Sequence, residues 1–192
     1  MPEIYVFGGC NGSGKTTLAT AILSSVDNQI EFVNADIIAA ELNPNNVDAV
    51  AIEASRLMLE RINTLSRQGM DFAFETTLAA RTFAKFLREC KANGYRINLV
   101  YVWLESAELA VSRVAKRVAS GGHNIPEDVI RRRYERGRGN FVELYSPIAD
   151  YWIVYDNTRQ TRNEVAEKTP NQQITVYQPS IWQQITQESY ES

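Results

Sequence analysis

The sequence predicts an α/β fold of three layers, with a five-stranded, mostly parallel sheet flanked by helices. Two observations carry that expectation. Short runs rich in β-branched and aromatic residues alternate with longer stretches whose apolar residues recur at three-to-four spacing, the pattern of successive βαβ units. The first such run leads into Gly9-Cys10-Asn11-Gly12-Ser13-Gly14-Lys15-Thr16, which fits G-x-x-x-x-G-K-[ST] and opens the first helical stretch. Strand, glycine-rich loop and helix in that order are the context a phosphate-binding P-loop requires, so the expected class is a kinase-like P-loop NTPase.

Taken in order, strands are expected at Glu3 to Phe7, Ile30 to Asn34, Asp71 to Phe74, Ile97 to Leu104 and Tyr151 to Tyr155. Helices are expected at Lys15 to Ser25, Val47 to Gln68, Ala80 to Asn93 and Ala107 to Ser120, with Ile37 to Leu42 read as a turn. A further helix starts near Pro126, where proline suits a first turn and Glu127 and Asp128 suit the positive end of the helix dipole, and runs to about Leu144. After Asn157 the pattern loosens. Residues 159–192 read as a C-terminal appendage with an edge strand at Ile174 to Tyr177 and a short helix from Pro179 to about Thr186, packing Trp182 and Ile185 against the edge of a single 192-residue domain.

Composition narrows the class. With 44% hydrophobic and 22% charged residues the chain is an ordinary globular one. Met1 to Gly9 lacks a basic n-region and a long apolar run, so the expectation is a cytoplasmic protein without a membrane span. Cys10 and Cys90 lie far apart without partners at metal-ligand spacing, which argues for reduced thiols and against disulfides or zinc. A net charge of −3 makes a nucleic-acid coat protein improbable, yet residues 113–138 carry eight basic side chains against three acidic ones.

The P-loop assigns its own roles. Glycines at 9, 12 and 14 allow backbone N–H groups and the helix N-terminus to converge on phosphate oxygens. Gly9, Asn11, Gly12, Ser13, Gly14, Lys15, Thr16 and Thr17 are therefore the expected nucleotide-binding residues, with Lys15 on the β and γ oxygens and the Thr16 hydroxyl on Mg²⁺. ATP is favoured over GTP because no Asn-Lys-x-Asp guanine-reading motif occurs.

In open α/β sheets ligands bind beyond the carboxyl ends of the strands. The second strand ends in Val33-Asn34-Ala35-Asp36, placing Asp36 to accept the proton of an attacking hydroxyl or else to cap the following turn. The third ends in Glu75-Thr76-Thr77, where Glu75 can bind substrate hydroxyls or a Mg²⁺ water, or serve in a salt bridge, and Thr76 and Thr77 share its rim. The basic segment reads as a lid over about residues 117–138. Arg117 ends one helix, Gly121, Gly122, His123 and Asn124 connect, and Arg131, Arg132 and Arg133 return on the next. Positive charge around a migrating phosphoryl group is what transfer needs. Successive helical positions are about 100° apart, so only one or two of the three face the phosphates. Arg117 and Arg132 are favoured as catalytic, with Arg133 close behind; a solvated basic face or an RNA-contacting patch is the alternative. His123 reads as structural or substrate-orienting.

With these residues assembled, the chain resembles the zeta-toxin family of P-loop kinases over most of residues 3–158. The resemblance rests on the P-loop, Asn34-Ala35-Asp36, Phe74-Glu75-Thr76-Thr77, the segment Arg117 to Pro126, Arg132-Arg133-Tyr134 and Tyr155-Asp156-Asn157-Thr158. It implies Mg²⁺- and ATP-dependent phosphorylation of a sugar hydroxyl, with UDP-N-acetylglucosamine as the acceptor of toxic members. It also implies phosphate, base, substrate and lid roles for Lys15, Asp36, Glu75, Arg117 and Arg132, and it puts Asp156 to Thr158, Asn157 among them, near the adenine. An inhibitory antitoxin is a partner the resemblance allows. The shorter length than the larger toxins implies less room for a nucleotide-sugar. Two readings compete with the kinase: an ATP-hydrolysing switch, and a nucleic-acid or nucleoside kinase.

Overall fold

A computed structural model describes residues 1–26, 30–122, 124–171 and 173–187. Its first five strands, β1 (Glu3–Gly9), β2 (Glu31–Val33), β3 (Phe72–Thr76), β4 (Arg96–Trp103) and β5 (Tyr151–Asp156), are mutually parallel. Two more, β6 (Asn163–Lys168) and β7 (Ile174–Val176), add on antiparallel, giving the order β2-β3-β1-β4-β5-β6-β7. Seven strands among the described residues replace the expected five. The chain leaves β1 toward β2 and β3 and then returns to its other side for β4, so the crevice beyond the carboxyl ends of β1 and β3 is the place a ligand should enter.

Side-chain alternation along the buried strands feeds two cores. On one face Ile4, Val6, Phe72 and Phe74, all fully buried, pack with Met58, Ile62 and Leu65 of α3 (Ala51–Arg67) and Phe86 and Leu87 of α4 (Thr82–Ala92). On the other, Phe7 meets Leu18, Ala19 and Leu23 of α1 (Lys15–Val26). Each such large side chain contributes about 1.5–3 kcal/mol. A third cluster joins Cys10 and Leu104 to α5 (Ala107–Ala119) and α6 (Glu127–Asn140) through Ala110, Val114, Ile130 and Tyr134.

Three elements differ from expectation. The turn after β2 is a two-turn helix, α2 (Ala35–Leu42), because Asn34 caps it: its Oδ1 accepts the Asp36 N–H at 2.7 Å. The last expected helix changes pitch, since α6 continues as a π-helical turn at Phe141–Tyr145 and a short α7 (Ser146–Ile148). An unexpected strand, β6, joins the sheet, while β7 falls on the edge strand expected at Ile174 to Tyr177. β6 is hidden in sequence by Asn163, Glu164, Glu167 and Lys168, yet Val165 and Ala166 are fully buried and Lys168 is 6% exposed, its ammonium donating to the Ser146 and Ala149 carbonyls at 3.3 and 2.5 Å. The final helix, α8 (Pro179–Thr186), buries Ile185 and stacks Trp182 on Trp152 with ring centroids 5.3 Å apart.

Candidate active site

The P-loop closes at the carboxyl end of β1. Gly12 and Gly14 adopt φ of +76° and +89°, the left-handed region that side chains with a Cβ avoid. A Cβ on Gly14 would also come within 2.8 Å of Asn157 Nδ2, which donates to the Ser13 carbonyl at 2.7 Å. Asn157 thus holds the loop from beneath. Lys15 is 6% exposed, and its ammonium donates across the loop to the Cys10 carbonyl at 2.8 Å. Burial pushes the Cys10 thiol up to about 11, with Lys15 and Arg113 opposing.

Glu75, the penultimate residue of β3, is the hub of the polar rim. Its Oε2 accepts from Thr16 Oγ1 at 2.7 Å and from Asn34 Nδ2 at 2.9 Å, while Oε1 lies 3.5 Å from the Lys15 ammonium. Asp36, in the first turn of α2, is exposed and lines the same cleft; with Asn34 doing the capping, its carboxylate is left for other work. Thr76 is buried, and its Oγ1 accepts the Leu78 N–H at 3.1 Å, so it shapes the loop; both Thr76 and Thr77 line the cleft. Thr16 and Thr17 are both exposed in the first turn of α1.

The cleft has a volume of about 1020 Å³ and runs from Asn11 and Lys15 past Asp36 and Glu75 to Met58, Leu59 and Phe83. Arg132, Arg133 and Arg136 of α6 form its cationic wall. Arg133 reaches deepest: its Nη1 lies 3.5 Å from Asn11 Oδ1, and burial pulls its pKa down while Asp36 holds it up. Arg132 is half exposed, 3.7 Å from Asp128. Arg117 ends α5 with Gly122 folded against its side chain, and the cleft wall there is made by Gly121, Gly122 and Asn124. His123 lies outside the described residues.

These residues fit a nucleotide triphosphate with Mg²⁺. The loop holds an orphaned polar atom, since Ser13 Oγ is buried with no hydrogen-bond partner among the described residues. The Thr16 hydroxyl and Glu75 carboxylate supply adjacent oxygens, the donor type of a hard cation.

Four residues that hold this site were not among the expected ones. Asn34 ties β2 to Glu75; the Asn-x-Asp sequence before a helix is a cap signal that points to it. Arg113 donates to the Thr158 carbonyl at 3.0 Å and lies against Gly12, fixing the Asp156 to Thr158 segment beside the loop. Gly137 and Asn140 grip the loop after Glu75. A Cβ on Gly137 would sit 2.4 Å from the Thr77 carbonyl oxygen, and Asn140 Nδ2 donates to the Leu78 carbonyl at 2.8 Å. Leu78 itself is fully buried at φ +59°, a costly conformation held by these contacts. No local pattern announces such pairings.

Fold and site together define a P-loop phosphotransferase of the kinase type. The chain belongs to the zeta-toxin family, whose sequence model matches residues 1–165. It is 34% identical to an uncharacterized protein of Haemophilus influenzae over 126 residues, 66% of this chain and 88% of that one. All of it superposes on a chain of the AvrRxo1-ORF1:-ORF2 structure with ATP, with TM-score 0.76, 17% identity and 66% of that chain covered. The protein therefore spans about two thirds of that relative's length. A chain of the PezAT chromosomal toxin–antitoxin system of Streptococcus pneumoniae aligns with TM-score 0.63 and 18% identity, over 98% of this chain and 80% of that one. A gluconokinase from Sinorhizobium meliloti gives 0.52 and 17%, over 82% and 83%.

Proposed function

We propose that this protein is an ATP- and Mg²⁺-dependent kinase that moves the γ-phosphoryl group onto a hydroxyl of a sugar or nucleotide-sugar, of the UDP-N-acetylglucosamine kind that its family suggests. The observation that carries this reading is the cleft of about 1020 Å³ continuing from Lys15 past Asp36 to Phe83, which leaves room for a second substrate beyond the phosphates. A switch that only hydrolyses ATP has no use for that space.

In this mechanism the Lys15 ammonium exchanges the Cys10 carbonyl for the β and γ oxygens of ATP. When bound, Mg²⁺ offsets phosphate charge, with the Thr16 hydroxyl and the Glu75 carboxylate as its protein-side oxygens. Asp36 takes the proton of the acceptor hydroxyl as the new O–P bond forms and the bond to the ADP oxygen breaks. Arg133 offers charge to the migrating group, Arg132 adds to the same cationic wall, and Arg117 is a further cation behind Gly122. Asn157 and Arg113 keep the loop and the adenine side in register.

One structural relative comes from an AvrRxo1-ORF1:-ORF2 structure and another from the PezAT toxin–antitoxin system. An antitoxin that covers this cleft is the corresponding partner here. ATP supply makes the cytoplasm the expected compartment, and among the described residues no helix is long and apolar enough to cross a membrane. The mechanistic test is a pair of variants assayed with Mg-ATP and UDP-N-acetylglucosamine. Lys15→Ala loses both ATP affinity and transfer, whereas Asp36→Asn keeps wild-type ATP affinity and transfers about 10²- to 10⁴-fold more slowly. Equal loss of ATP binding in Asp36→Asn would remove it from the role of base.

A further inference from the structure

We infer that α8 braces the arginine-bearing helix α6, with Arg138 and Trp182 as positioning residues for phosphoryl transfer; the inference rests on the kinase reading above. Both β7 and α8 lie beyond residue 165, where the family match ends.

Two contacts make the brace. The Arg138 guanidinium, 13% exposed, donates through Nη1 to the carbonyls of Gln184, Ile185 and Gln187 at 3.4, 3.2 and 2.7 Å. These groups close the C-terminal end of α8, where carbonyls lack intrahelical partners and a cation is favoured. Trp182 stacks on Trp152 and meets Phe141 edge-on, with centroids 6.5 Å apart. Phe141 is the fully buried residue that follows α6 directly and stacks on Tyr101 at 4.3 Å. So α8 holds α6 by its side and by its end.

Helical phase explains why this matters to the reaction. Arg132, Arg133 and Arg136 span about 100° of the helix, and Arg138 lies about 200° round from Arg136. One rigid helix thus turns its arginines toward the cleft and Arg138 toward α8. On the cleft side Gly137 and Asn140 seat the helix against Thr77 and Leu78. Grip on both sides fixes its roll. At a side-chain radius of about 5–6 Å a roll of ~10° displaces a guanidinium by ~1 Å, enough to cost up to ~10²-fold in a positioned reaction.

The test compares the full chain with Arg138→Ala, Arg138→Lys and Trp182→Phe, reading amide hydrogen exchange, ATP affinity, and turnover of Mg-ATP with UDP-N-acetylglucosamine. In Arg138→Ala the amides of 127–140 exchange about tenfold faster while those of α1 keep their protection. ATP affinity stays within about twofold and kcat falls about tenfold. Arg138→Lys, which keeps a cation at the α8 carbonyls, recovers most of both. Trp182→Phe gives the same pattern more weakly and serves if Arg138→Ala does not fold. Unchanged α6 exchange overturns the brace, as does a loss of kcat matched by equal loss of ATP affinity and α1 protection. If the wild-type chain transfers no phosphate to any member of a panel of sugars and nucleotide-sugars, the kinase reading fails on its own, and the exchange data still decide whether α8 steadies α6.

Discussion

The Glu75 carboxylate accepts the Thr16 hydroxyl at 2.7 Å while its second oxygen stands 3.5 Å from the Lys15 ammonium, so the penultimate residue of β3 closes the P-loop's own two functional side chains into one network. Glu75 and Lys15 are 12% and 6% exposed, which leaves the pair little screening by water. Removing one partner strands the other charge.

Glu75→Ala is therefore expected to lower the stability of the ligand-free protein by about 1–3 kcal/mol and to abolish transfer, whereas Glu75→Gln, which still accepts from Thr16, keeps most of the stability and loses only transfer. Denaturant midpoints with and without Mg-ATP measure this. Equal stability losses in the two variants would show that the charge facing Lys15, and not the hydrogen bond from Thr16, carries the stability.

The two neighbouring lid arginines should separate kinetically. Arg133 reaches Asn11 of the P-loop and faces Asp36, while Arg132 pairs with Asp128 at the rim. Arg133→Ala should slow transfer by about 10²- to 10³-fold and Arg132→Ala by less than about tenfold. Steady-state kcat for both variants checks the order, and the reverse order assigns the catalytic charge to Arg132 and requires a lid movement to bring it in.

Gly137→Ala introduces a methyl group 2.4 Å from the Thr77 carbonyl oxygen, backbone that cannot step aside cheaply. The expected cost is about 1–3 kcal/mol, with α6 pushed off the loop that follows Glu75 and transfer impaired beyond the loss of stability. Gly139→Ala on the same helix meets nothing within 4 Å and is the matched control, expected to be neutral or slightly stabilising.

Alkaline pH should weaken the P-loop region. The Cys10 thiol rises from about 9 to about 11 on folding because burial disfavours the thiolate. The unfolded chain then releases its proton first, so the contribution of Cys10 is fully present below about pH 9 and is lost as pH rises toward about 11. Cys10→Ala should show a shallower fall of stability across that window, and the wild-type thiol should resist alkylation at neutral pH until the protein unfolds. Rapid alkylation of native Cys10 would contradict its burial.

Much of this was legible in the sequence where chemistry and local structure coincide. The P-loop announces itself because its glycines, lysine and threonine must follow a strand and open a helix, and β1 and α1 occur where that rule puts them. The strand-end position of Glu75 was equally readable; its junction with Lys15, Thr16 and Asn34 was not, because it joins three separate elements. β6 escaped because only Val165 and Ala166 are apolar, and Lys168 is buried by carbonyl partners that no sequence pattern reveals. The choice between Arg132 and Arg133 turns on the roll of α6. That roll is set by Gly137 and Asn140 against residues some sixty positions earlier, as the Asn140 to Leu78 contact shows.

The measurement that bears most directly on the central claim is mass-spectrometric detection of new phosphorylated species after the protein is incubated with Mg-ATP and a panel of nucleotide-sugars, sugars and nucleosides, with Lys15→Ala alongside. A sugar or nucleotide-sugar is expected to gain one phosphoryl group with wild-type protein and none with Lys15→Ala. ATP consumed in a Lys15-dependent way with every acceptor left unmodified would contradict it and make the cleft that of a hydrolase.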